Sequence, residues 1–306
     1  MKILISGSNG IIGRQLIRDL YEFYPNAQFI ELNRSISKLE VNPRIISLNI
    51  NLLSAKDKEL EDILNKYKPR LFFHLAWETS HGEYLNSSYN IEWCEKTILL
   101  IKYFYKYGGE KFIGLGSSIE YDWKSSNCFS VNNTPLNGNN YLYGTSKLNV
   151  YNFLSSMSGN SYLWCRVFFV FGPGQQKTRL IPQIIKNVIS QKGELLINTN
   201  LVRDYLSTFE ISKQILLMSQ SNFSGPLNIC SGKGKSIGEI VKLIEDIIGR
   251  RAIISDKKFD DKFEVQILCG CQKEILDYFP DYEYDKKKLT KDLRTTVNYY
   301  LEEYNK

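Results

Sequence analysis

The stretch Ile3-Leu4-Ile5-Ser6-Gly7-Ser8-Asn9-Gly10-Ile11-Ile12-Gly13 decides the fold of this 306-residue chain. Its apolar run ends at Ile5, short of the ~7–15 residues of a secretory core, and reads as a buried first strand. Glycine then recurs at every third position, where that strand gives way to a helix. Gly7 permits a tight turn, Gly10 lets backbone approach a pyrophosphate, and Gly13 lets the helix pack close to the strand. Asn9 in the loop and the amides of Ile11 and Ile12 in the first helical turn complete an anion-facing cradle. Glycines at this spacing mark many ordinary turns; between a strand and a helix they point to nucleotide binding.

Outward from this turn, strand-like runs alternate with amphipathic stretches. The pattern predicts strands at 3–6, 28–32, 71–75, 111–116 and 162–170, and helices at 11–24, 55–67, 88–107 and 143–157. Strands apolar on both faces that alternate with helices imply a parallel sheet covered on both sides. Beyond Gly172 the pattern loosens into helices at 180–191, 236–248 and 290–304, with short strands at 194–197 and 226–229. The expected fold class is therefore α/β: a Rossmann-type doubly wound parallel sheet with a smaller mixed α/β C-terminal lobe. The expected division is 1–171, taking in about 203–220, for the dinucleotide-binding domain and 172–306 for the lobe. The Ser- and Asn-rich segment 123–140 has the length at which loops are usually functional.

Lysine and arginine number 39 against 33 acidic residues, a net charge of +6 that favours anionic ligands such as nucleotide diphosphates. That balance suits nucleic acid too, but no helix-turn-helix, zinc finger or aromatic-and-glycine RNA signature accompanies it, and no nucleic-acid partner is expected. No run approaches the ~20 apolar residues of a membrane helix; the expectation is a cytoplasmic protein with no membrane partner. Cysteines 94, 128, 165, 230, 269 and 271 then read as reduced thiols. With His74 and His81 as the only histidines and no CxxC pair, no metal site is expected. The densest basic cluster, Lys286, Lys287, Lys288 and Lys291, is flanked by Asp285 and Asp292 and reads as solvated surface.

The end of the second strand, Glu31-Leu32-Asn33-Arg34-Ser35, bears on the cofactor. An acid at this place binds the ribose hydroxyl of NAD, and an arginine nearby accepts the phosphate of NADP. Asn33 stands in the acid's place and does not repel phosphate, while Arg34 attracts it. NADP(H) is therefore preferred, with NAD(H) as the alternative. Arg34 as a plain surface residue, and Glu31 as the ribose ligand, stay open. Tyr143 and Lys147 lie four apart, on one face of a helix. Tyrosine, with its ordinary pKa of about 10, is a useless base at neutral pH; a neighbouring ammonium stabilises the phenolate and corrects that. The pair would arise by chance in a chain with 20 tyrosines, but its place after the strand at 111–116, some 130 residues beyond the glycine turn, gives it weight. Ser117-Ser118 follow the strand at 111–116 on the sheet edge where ligands bind. A hydroxyl there can hold a reacting carbonyl, although alone it would read as a strand cap.

Together GSNGIIG (7–13), FFHLAW (72–77), GSSIEYDW (116–123), YGTSK (143–147) and RVFFVFGPGQ (166–175) resemble the extended short-chain dehydrogenases/reductases. More narrowly, the chain is similar to the NAD-dependent epimerase/dehydratase group acting on nucleotide sugars. RDYLSTFEI (203–211) and PLNICSGKGKSIGEIV (226–241) carry the likeness through most of the chain. The resemblance implies a C-terminal lobe that holds a nucleotide-diphosphate sugar, and a homodimer built on two helices per subunit. By position it implies Tyr143 as acid/base, Lys147 as its electrostatic partner and ribose ligand, and Ser117 as the substrate hydroxyl, with Ser118 beside it. Leu75 and Ala76 would line the cofactor cleft, and Asn90 matches an asparagine common on the following helix. Arg203 would contact the substrate diphosphate, and Arg179 and Leu180 lie where the nucleotide is gripped.

Departures from the pattern narrow the reaction. Ser118 and Ile119 stand where family dehydratases carry an acid and a glutamate, so 4,6-dehydration is not expected. No cysteine stands where enzymes that epimerise C3 and C5 carry one. Ser207-Thr208-Phe209-Glu210 replaces the usual valine-aspartate after the RDY segment. The function expected first is reduction of the C4 keto group of a nucleotide-linked 4-keto-(6-deoxy) sugar by NADPH, with Tyr143 as proton donor. An NAD-dependent C4 epimerase is the alternative, and a non-catalytic nucleotide-binding regulatory module is a more remote one.

Overall fold

A computed structural model describes residues 1–35, 43–80, 82–132, 141–257 and 265–304. The first half forms strands β1 (Lys2–Ser6), β2 (Gln28–Asn33), β3 (Ile45–Asn49), β4 (Leu71–His74) and β5 (Lys111–Ser117). Between and after them lie helices α1 (Ile11–Phe23), α2 (Asp57–Tyr67), α3 (Tyr89–Lys106) and α4 (Leu142–Ser156). The main sheet has seven strands in the order Gly225–Ile229, Ser161–Val167, β5, β4, β1, β2, β3. Every pairing among β1 to β5 is parallel.

Side-chain alternation explains how the sheet is covered. Ile30, Leu4, Phe72 and Phe112 stand side by side in register across β2, β1, β4 and β5. Leu60 and Leu64 of α2, Leu100 and Phe104 of α3, and Val150 and Leu154 of α4 join the same cluster. Each such buried side chain contributes about 1.5–3 kcal/mol of hydrophobic stabilisation. Residues one step along the strands face the other way. There Tyr21 of α1 meets Phe29 edge-on at 4.6 Å, and Ser212 of the helix Thr208–Gln220 donates a hydrogen bond to Asp19 of α1. The helices have local causes as well. α1 buries Leu16, Ile17 and Leu20 along one stripe and stops just before Pro25. α2 carries Asp57 and Glu59 in its first turn and Lys66 in its last, matching the helix dipole. It ends on Lys68 in the left-handed region, φ 46°, directly before Pro69.

Contacts divide the chain into two compact units. Met1–Tyr121, Pro135–Arg166 and Ser212–Leu227 form the first; Asp122–Thr134, Val167–Ile211 and Asn228–Lys306 form the second. The second unit is built from short pieces. Its four-stranded sheet runs Lys235–Ser236, Val202–Arg203, Ile267–Gly270, Cys128–Phe129. Two further pairs join Phe169–Phe171 to Tyr205–Ser207 and Leu195–Ile197 to Ile254–Asp256. Asp204, fully buried, holds these pieces together by accepting the N–H groups of Ser231 (2.6 Å), Gly232 (3.1 Å) and Gly270 (3.1 Å). Burial raises its carboxyl above the usual range, and those donors pull it back.

Several sequence expectations change. The predicted strand 162–170 is two strands, Ser161–Val167 and Phe169–Phe171. The chain switches partners at Phe168, whose N–H goes to Ile229. Strand β3 and the helix Thr208–Gln220 were not anticipated, and the last helix begins earlier than predicted, spanning Lys286–Tyr304. Within the predicted loop 123–140, Cys128–Phe129 is a strand; residues 133–140 lie outside the described residues, as does His81. Among the described residues no helix is long and apolar enough to cross a membrane, and no group of His, Cys, Asp and Glu is arranged to hold a metal ion.

Candidate active site

The strand order reverses between β1 and β4, and in open α/β sheets that reversal opens a crevice beyond the strand ends. Gly7 ends β1 there with φ 76°, a conformation that favours glycine. A Cβ at Gly7 would stand 2.7 Å from the backbone nitrogen of Ala76; only glycine lets the ends of β1 and β4 approach so closely. Leu75 donates its N–H to the Ser6 carbonyl at 3.0 Å and fixes the same junction. Gly13 is equally constrained, since its Cβ would lie 2.2 Å from the Gly7 carbonyl oxygen. Gly10 is the N-cap of α1, which begins at Ile11 and Ile12 with no side-chain cap and no acid in its first turn. That end presents uncapped N–H groups and a positive dipole, the chemistry that fits a pyrophosphate. Asn9 donates to the Ser35 carbonyl at 3.1 Å and ties the turn to the end of β2.

At that end Asn33 is buried, and its Nδ2 donates to Ser8 Oγ (2.7 Å) and Glu31 Oε2 (3.2 Å). Arg34 points to solvent, its side chain 70% exposed, and pairs with Glu78 at 3.7 Å. Glu31 is buried, and its two oxygens accept from Tyr21, Ser8 and Asn33. Glu31 thus spends its carboxylate on partners inside the protein.

Tyr143 and Lys147 lie one turn apart near the start of α4, both buried. The Tyr143 N–H is anchored on the Leu85 carbonyl at 2.9 Å. Its ring stands edge-on to Tyr84 (5.0 Å) and to Trp77 (6.2 Å). The Lys147 ammonium donates to the Leu115 carbonyl at 2.7 Å. It sits 3.6 Å from the centre of the Trp77 ring and 5.7 Å from that of Tyr143, an attraction between cation and π face. Burial pushes the lysine down to about 7, with Glu120 and Cys94 pulling the other way. Asn90 explains why Trp77 stays in place. Its Oδ1 accepts the indole N–H at 2.8 Å, while its Nδ2 donates to the carbonyls of Tyr84 and Ser87.

Ser117 ends β5 and begins a single 3-10 turn, Ser118–Glu120, through a capping box. Glu120 Oε1 accepts the Ser117 N–H at 2.8 Å, and Ser117 Oγ accepts the Ile119 N–H at 3.3 Å. Accepting that bond turns the hydroxyl so that its proton can be donated outward. Glu120 is completely buried against Arg166 at 2.8 Å and receives the Trp164 indole N–H on both oxygens. Arg166 also donates to the Tyr121 hydroxyl at 3.2 Å. Ser118, expected beside the substrate, is itself buried.

In the second unit, Arg179 is the N-cap and Leu180 the first residue of the helix Leu180–Ser190. Arg203 lies on the strand Val202–Arg203, donates to the carbonyls of Val202 and Gln266, and covers the Phe169 ring at 5.6 Å. All three are half-buried.

With this geometry in view, comparison with known proteins is decisive for the family. The model of the NAD dependent epimerase/dehydratase family matches residues 3–230. The chain belongs to that family. A UDP-glucose epimerase of Bacillus subtilis, YtcB, itself described as uncharacterized, is 25% identical over 92% of this chain and 93% of its own. UDP-N-acetylglucosamine 4-epimerase from Methanobrevibacter ruminantium, solved with UDP-N-acetylmuramic acid, superposes with a TM-score of 0.84 at 22% identity, covering 99% of this chain and 98% of that one. UDP-glucuronic acid 4-epimerase from Bacillus cereus, solved with UDP-glucuronic acid and NAD, gives 0.81 at 21% identity, covering 99% and 100%. At these identities the structures establish a shared fold.

Within this epimerase/dehydratase fold, two sets of residues beside the expected triad were not singled out from sequence. Trp77 was quoted only as part of a motif, and an isolated tryptophan after a strand carries no signal of a role. Glu120 did carry one: Ser117-x-x-Glu120 has the spacing of a capping box.

Proposed function

We propose that the chain is an NAD-dependent nucleotide-sugar 4-epimerase in which Tyr143 is the acid/base, Lys147 its electrostatic partner and Ser117 the hydroxyl that holds the reacting oxygen. One observation supports the reading above the others. Gly7 packs against Ala76, and the neighbouring Trp77 packs against Lys147 and Tyr143, which supports a phenol and an ammonium working close to a phosphate-binding turn. Bound NAD would supply a reversible hydride acceptor. Tyr143 takes the proton of the sugar C4 hydroxyl as phenolate, favoured by the Lys147 charge, and returns it when the carbonyl is reduced. Ser117 donates its hydroxyl proton to the same oxygen. Arg203, Arg179 and Leu180 would hold the nucleotide diphosphate, with Ser118 behind Ser117, and the working assembly would be a homodimer.

This reverses the order of the sequence reading, which put NADPH-dependent C4 reduction first. Both structures described above are 4-epimerases of UDP-sugars, one of them solved with NAD, and the features that favoured NADP do not support it here. Asn33 spends its donors inward, and Arg34 faces Glu78. The test is incubation with NAD and a panel of UDP-hexoses, UDP-N-acetylhexosamines and UDP-hexuronates, followed by NMR of the anomeric protons. The 4-epimer should accumulate to equilibrium without net change in nicotinamide absorbance, and Tyr143→Phe should cut turnover by at least about 100-fold. NADPH consumption on 4-keto sugar nucleotides, with no interconversion on the panel, would select the reductase instead.

A further inference from the structure

We infer that Glu31, buried behind Asn33 and joined to it through Ser8, selects an unphosphorylated adenosine ribose by fixing Asn33 with its carbonyl oxygen outward. The inference rests on the dinucleotide reading above and goes beyond it by naming the residue that sets the choice. Its basis is the direction of each proton in a closed network. Three groups converge on the Glu31 carboxylate: the Tyr21 hydroxyl on Oε1 at 2.5 Å, and Ser8 Oγ (2.9 Å) and Asn33 Nδ2 (3.2 Å) on Oε2. A carboxylate only accepts, so the single Ser8 proton goes to Glu31. Whatever Asn33 turns toward Ser8 Oγ, 2.7 Å away, must then be a donor. That fixes the amide: Nδ2 faces the interior and Oδ1 faces away from it. Nδ2 is held inward by Ser8 and Glu31 together.

The consequence is chemical. At the end of β2, beside a glycine turn tied to it by Asn9 and Ser35, Asn33 would then present its acceptor oxygen rather than its amide nitrogen to a ligand. A ribose hydroxyl can donate to that oxygen, whereas a phosphate there meets an acceptor with a buried negative charge directly behind it, and like charges held close are disfavoured. Asn33 thus does the work of the acid whose place it occupies, with the charge set one layer deeper. Arg34, the group that could offset this, already faces Glu78.

Isothermal titration of the full chain with ADP-ribose and with 2′-phospho-ADP-ribose tests the inference without turnover. The wild type should favour ADP-ribose by about tenfold or more, and Glu31→Gln should shrink that ratio several-fold. Ser8→Ala, which leaves Glu31 in place but removes the hydroxyl that joins it to Asn33, should shrink it too, and it decides the matter if a melting curve shows Glu31→Gln unfolded. A purely structural Glu31 would weaken both ligands equally; an unchanged ratio in folded variants overturns the inference. So does a wild type that favours the phosphorylated ligand, although the dinucleotide reading then survives. Failure of the wild type to bind either ligand overturns that reading as well.

Discussion

Lys147 carries its charge at a cost in stability. Burial holds its ammonium at about 7 in the folded chain, against an ordinary 10.5. Between those values the unfolded chain binds a proton that the folded chain does not, so stability rises with pH across the window and the penalty is fullest below about 7. Lys147→Met should therefore melt higher than the wild type at about pH 6, with the gap closing toward about pH 10, while losing turnover. Melting curves of both proteins across that range check it; a gap that widens with pH would refute the burial account. His74 acts on the acid side. Burial first, then the Lys147 charge, keeps its imidazole down at about 3, between Ser6 and Thr97. As pH falls from 6.5 toward 3 the unfolded chain alone takes up the proton, and stability falls with it. His74→Gln should melt lower at neutral pH, yet lose less than the wild type on acidification, in the same melting experiment.

Ser117 stands on an element of one turn that depends on a buried ion pair. Glu120 and Arg166 are both fully buried, and removing one partner leaves the other charge stranded. Glu120→Ala should cost about 3–5 kcal/mol, seen as a lower urea midpoint at unchanged slope. Adding Arg166→Met should recover much of that loss, because two charges are then absent rather than one. A double variant no more stable than Glu120→Ala would show that the ion pair is not what holds the turn. At this scale the sequence is readable where one force dominates. β1, β4 and β5 are apolar on both faces and α1 has a clean stripe, so their ends were placed to within a residue or so. β3 is half exposed along its length and lacks that signature. The break at Phe168 was invisible because both flanking runs are apolar; what separates them is a change of partner, which comes from contacts far along the chain.

Across the whole molecule the same contrast separates the two units. The first rests on long parallel strands and a glycine turn whose spacing is set by steric contact, so its architecture and the positions of Gly7, Gly13, Tyr143 and Lys147 could be read from the residues. The second is assembled from strands of two to four residues joined by clasps such as Asp204, which leave no periodic trace. The direction of the chemistry was beyond reach for another reason: one phenol, one ammonium and one hydroxyl serve both reduction and epimerisation, and cofactor and sugar decide between them. The excess of 39 basic over 33 acidic side chains does make a prediction at this scale. Much of the surface charge is paired locally, as in Lys58–Asp62 and Lys273–Asp277, so the surplus would act as a diffuse positive field on the proposed nucleotide-sugar substrate. Such a field is screened beyond about 10 Å at 0.1 M salt. Raising KCl from about 0.05 to about 0.5 M should lower kcat/KM for the sugar nucleotide several-fold while kcat stays nearly constant, since Tyr143 and Lys147 are buried from the salt. Steady-state kinetics across that series, with melting curves to exclude loss of fold, gives the answer. A kcat/KM indifferent to salt would mean that substrate capture owes nothing to the net charge and rests on short-range contacts alone.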